Sequence, residues 1–132
     1  MAANTSPIFT LTPVIGATSI SVANAGKDGS GASGSVITGG TNGTRITRVT
    51  VQASGSTTAG MVRLFIVNSG SSTFLWREIL VDAVVGSGSV AEFVKTVSLV
   101  EENALVLPSG NMLMASTENA EAFNIIAEGG DY

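Results

Sequence analysis

Apolar side chains recur at every second position in short runs, and clusters of Gly, Ser and Asn separate the runs. That spacing predicts half-buried strands joined by turns. In Arg45 to Ala53, Val49, Val51 and Ala53 share one face while Arg48, Thr50 and Gln52 share the other. Met61 to Val67 is apolar on both faces except for Arg63, the pattern of a central strand in a packed sheet. Phe74 to Asp82 is expected to turn Leu75, Ile79 and Val81 inward and Trp76, Glu78, Leu80 and Asp82 outward. Arg77 then shares the inward face, where its guanidinium needs carboxylate or carbonyl partners. Trp76 either lies in an interface or caps the edge of a sandwich.

The stretches Ser54 to Gly60, Asn68 to Thr73 and Gly86 to Ser89 are built almost wholly of turn formers. Gly26 to Gly43 is a longer low-complexity stretch, expected to be a mobile loop or linker interrupted by a short edge strand at Val36-Ile37-Thr38. After Gly88, Ser89 and Glu92 have the spacing of a helix capping box, but Phe93, Val94, Thr96 and Val97 favour a strand. Leu105 to Leu107, Met112 to Thr117 and Phe123 to Ala127 complete the strands, with Gly16 to Val22 at the front. The sum predicts an all-β chain: a single antiparallel β-sandwich, jelly-roll-like, of about eight strands. Residues 1–13 are uncharged and broken by Pro7 and Pro13, so they are expected to form an extended N-terminal arm ahead of one domain over residues 14–132. Pro7, Ile8, Phe9, Leu11 and Pro13 are the candidate contacts of that arm with another subunit, and Trp76 is a further candidate contact.

Charge changes the picture from any compact sandwich to one suited to being covered. Only 12% of the 132 residues are charged, about half the usual share, so much of the surface is Ser, Thr, Asn, Gly and apolar side chains. No basic residue follows Lys95, whereas Glu101, Glu102, Glu118, Glu121, Glu128 and Asp131 all do. A phosphate backbone needs clustered Lys and Arg, so nucleic acid is not an expected partner. Met1 to Gly26 lacks the basic start and the long apolar run of a signal peptide, and no run approaches membrane-spanning length. No membrane partner is therefore expected.

The candidate chemistry is sparse. There is no cysteine and no histidine, which excludes thiolate nucleophiles, His-dependent triads and the common zinc sites. A glycosidase would need two carboxylates across a cleft, and the spacing of Glu78, Asp82, Glu92, Glu101, Glu102, Glu118 and Glu121 singles out no pair. Gly26-Lys27-Asp28-Gly29-Ser30-Gly31 places its Lys ahead of the glycines and reads as a turn, not as a phosphate loop. No calcium-binding loop pattern occurs. The expectation is a protein that is not an enzyme and takes no cofactor, metal or small-molecule substrate.

The opening Met1-Ala2-Ala3-Asn4-Thr5-Ser6-Pro7-Ile8-Phe9, the central Gly60 to Ile66 with Arg77-Glu78-Ile79, the turn Leu107-Pro108-Ser109-Gly110 and the closing Gly129-Gly130-Asp131-Tyr132 resemble small virion-associated proteins of tailed bacteriophages. The resemblance spans nearly the whole chain. It implies a head decoration or cement protein, commonly a homotrimer, that binds the major capsid protein on the outside of the head after synthesis in the host cytoplasm. It carries over no catalytic residue. The alternatives are a tail or fibre adhesin module binding host glycan through Trp76, and, further off, a glycan-cleaving enzyme.

Overall fold

The computed structural model describes residues 9–100 and 103–132 and shows nine strands in two antiparallel sheets. These are β1 (Thr12–Ile20), β2 (Gly34–Thr38), β3 (Thr44–Ala53), β4 (Gly60–Val67), β5 (Thr73–Val81), β6 (Val94–Ser98), β7 (Leu105–Leu107), β8 (Met112–Thr117) and β9 (Phe123–Asp131). One sheet runs β1-β9-β3-β6, with β7 also paired to β3, and the other runs β2-β8-β4-β5. The first and last strands pair side by side, and the chain passes between sheets in the winding of a jelly roll.

The alternation in the sequence decides which side chains meet between the sheets. Ile46, Val49, Val51 and Ala53 from β3 and Phe123, Ile125 and Ala127 from β9 face Val62 and Leu64 from β4 and Leu113 and Ala115 from β8. One glycine is needed at the corner where β1 meets β2. A Cβ on Gly16 would lie 2.3 Å from the Val36 carbonyl oxygen, so no side chain permits this approach of the two backbones.

Several expectations change in detail. The segment after Gly88 forms strand β6, paired with β3 through Arg48↔Ser98 to Gln52↔Val94, because its β-branched residues fit the open edge of that sheet. The front strand begins at Thr12 instead of Gly16, so Thr12 and Pro13 belong to the sandwich and not to an arm. Pro13 is tolerated because β1 is an edge strand. The last strand runs on through Gly129 and Gly130 to Asp131, since the bare glycine backbones fit beside Arg45 and Thr10.

The two faces of β5 also differ from simple alternation. Leu64 pairs with Arg77 but Phe65 pairs with Leu75, leaving Trp76 as the extra residue of a β-bulge. The bulge reverses the parity of everything before it. Leu75 therefore joins Phe65 and Met114 on the outer face of its sheet, while Trp76 packs against the core.

Candidate interaction surfaces

Three surfaces stand out once the sandwich is assembled, and each is set by a different strand. The first is the outer face of the five-stranded sheet. Its cross-strand rows read Ile15, Glu128, Arg48, Ser98, then Ala17, Ile126, Thr50, Thr96, then Ser19, Asn124, Gln52, Val94. Arg48 and Glu128 form its only ion pair among the described residues, at 2.6 Å. Ser19 donates a hydrogen bond to the Asn124 side-chain oxygen at 2.7 Å. With Arg48 and Glu128 paired, the surface is nearly neutral, and most of its other side chains are uncharged.

The second surface is the outer face of the four-stranded sheet, where Arg63, Phe65 and Val67 of β4 point away from the sandwich core yet are buried. The chain between β1 and β2 covers them. The Asn24 amide N–H donates to the Thr117 carbonyl at one side of the sheet. Lys27 lies 3.8 Å from Glu78 on β5, and Gly29 rests against Thr73 at the far side. The Asn24 side chain ties the loop by donating to the Ser30 and Ala32 carbonyls and accepting from Gly26 N–H. The low-complexity stretch is thus a folded strap whose glycines allow turns and close approach.

Beneath it, the Arg63 side chain is only 3% exposed. Its Nε donates to Glu78 at 3.2 Å and its Nη2 reaches Glu118 at 3.5 Å. Asp28, within the strap, is held below the usual carboxylate range by hydrogen bonds from the Ser30 hydroxyl and amide.

The third surface is the free edge of β1 with its flanks. Phe9 is 78% exposed, Leu11 83%, Ile15 67% and Val22 63%. The Leu11 amide donates to the Asp131 carbonyl, which fixes the backbone while the side chain stays in water.

Of the candidate contacts read from the sequence, Pro7 and Ile8 lie outside the described residues. Phe9, Leu11 and Pro13 collect at the start of β1, on the edge of one sheet, whereas Trp76 sits on β5 at the far edge of the other. The fold does not bring Trp76 and the N-terminal residues together. The Arg77 guanidinium lies 4.8 Å from the centre of the Trp76 indole, a cation–π contact that takes the place of the expected carboxylate. Ile15 and Val22 were not among the sequence candidates, although both are large apolar residues in an uncharged stretch next to Leu11. Arg63 was legible as the one charge in an apolar strand, but its partners come from Glu78 and Glu118, distant in sequence.

Comparison with known proteins finds no family whose sequence pattern matches the chain and no curated protein with a matching sequence.

Proposed function

We propose that this protein is a structural virion component of a tailed phage, a capsid decoration protein that binds the outside of the head and stabilises neighbouring capsid subunits. The observation that carries this reading is the exposure of Phe9 and Leu11, anchored by the backbone at the start of β1 on a charge-poor sandwich. Large apolar side chains held in water gain roughly 1.5 to 3 kcal/mol each when a partner buries them fully, before the cost of ordering. The neutral outer sheet face beside them sets no like-charge barrier against a large partner. Trp76 is less available for stacking on a sugar, because its ring already packs on the core and carries Arg77.

The test is sedimentation with heads of a phage encoding the chain, stripped of accessory proteins. Saturable co-sedimentation and greater resistance of the heads to heat are expected. Phe9→Ala should weaken binding more than Lys27→Ala, whose side chain serves the strap. Equal effects of the two, or no co-sedimentation, would remove this reading, and binding to a glycan array instead would favour an adhesin.

A further inference from the structure

The four-edged sandwich leaves its strand edges unequally protected. β6 is short and carries Lys95, β7 has three residues, and β2 is short and broken by a register shift after Ser35. β5 is long, but it carries the Trp76 bulge, Arg77 and Glu78. Short strands, bulges and charges are the usual means of keeping another strand from adding. β1 lacks all of these and carries only Pro13, near its start, against added pairing: it has nine residues, no charge, and an unbroken register against β9 from Thr12↔Asp131 to Ile20↔Phe123. Its other side pairs with no strand among the described residues.

We propose that β1 is the self-association seam of this protein, pairing antiparallel with β1 of a second copy about a two-fold axis near Gly16. The occupant follows from the sequence of the strand. About that centre Ile15 of one copy faces Ala17 of the other, and Val14 faces Thr18, so large residues meet smaller ones and no charge meets its like. Pro13, which has no amide donor, falls toward the end of the ladder opposite Ser19. Beyond Ile20 the chain bends away toward Thr117 of the other sheet, so the seam is confined to β1 and leaves exposed Phe9 and Leu11 free for another partner. The paired positions are uncharged and self-complementary along the strand, as a two-fold interface requires. The result is one continuous sheet crossing two sandwiches, with main-chain hydrogen bonds joining them. This deepens the self-association expected of a decoration protein but replaces a threefold contact with a two-fold one.

Sedimentation velocity of the purified full chain, with no phage heads present, tests it separately from head binding. The expected species is a dimer, and Ala17→Lys on the exposed outer row should weaken dimerisation at least about tenfold by placing two cations beside the seam. Val94→Lys on β6 should leave the dimer unchanged. A monomer at all concentrations, a trimer as the smallest oligomer, or a dimer indifferent to Ala17→Lys would overturn the proposal. Should Ala17→Lys fail to fold, the Ile15→Cys, Ala17→Cys double variant decides, since the chain has no other cysteine. Mild oxidation should give a covalent dimer, and a monomer on a non-reducing gel would overturn the seam.

Discussion

Arg63 shows how a single side chain can be charged, buried and still tolerable. Its two carboxylate partners sit at the rim of the strap, with about a third of each side chain exposed, so they remain partly hydrated whether or not the guanidinium is there. Its aliphatic stem, by contrast, belongs to a side chain that is almost wholly enclosed, so its loss leaves space inside the fold. Packing is therefore expected to outweigh charge. Arg63→Ala should cost about 2 to 3 kcal/mol, mostly from the volume left empty, and Arg63→Met should cost less than about 1.5. Urea unfolding with an unchanged slope measures both. If the two variants lose equal stability, the ion pairs hold the strap and the packing account is wrong.

At the scale of elements, the strap between β1 and β2 is held by polar contacts, not by a core of its own. Asp28 belongs to this system, and its folded pKa is depressed because the charged carboxylate accepts from Ser30. Its contribution is therefore complete above the unfolded carboxylate pKa and is lost as pH falls through the depressed folded value. Amide protection factors in residues 26–32, taken against the intrinsic exchange rate at each pH, should fall on acidification before those in β3 and β9 do, and Asn24→Ala should produce the same local opening at neutral pH. A simultaneous loss of protection in strap and core would show that the strap does not open independently. The strap also marks where sequence reading stops. Strands β3 and β4 were legible because alternation, in β3, and an apolar run on both faces, in β4, act locally. The strap was read as a loose linker because its order comes from Asn24 and from Thr117, Glu78 and Thr73 far along the chain. The Trp76 bulge was hidden for a related reason: it depends on how β5 matches β4, and no residue type announces it. Phe9 and Leu11 could be picked out as candidate contacts, but the edge on which they lie depends on β1 starting at Thr12, which Pro13 obscured.

For the molecule as a whole, the decisive feature is that β1 and β9, the first and last strands among the described residues, are neighbours in one sheet. β9 lies between β1 and β3, so the last strand to be made is central and cannot form until the chain has closed on itself. A fold dominated by such distant pairings should fold slowly, on the millisecond to second scale typical of β-sandwiches. The same topology sets a sharp limit on truncation at the front. Removing residues 2–9 leaves every strand among the described residues intact and, with Phe9 largely exposed, should lower thermal stability little. Removing residues 2–13 takes away Thr12 and Pro13 with the Leu11 hydrogen bond to Asp131, and should destabilise the β1 end of the sheet. Removing residues 2–20 exposes a full edge of β9 and uncovers the core at Ile20, so the chain should not fold cooperatively. Thermal melts of the three truncations order these outcomes. A loss of stability as large for the first truncation as for the second would mean that the residues before Thr12 are part of the folded domain. The order expected here, with the break falling between them, means that Phe9 can be removed to test binding without confounding it with folding.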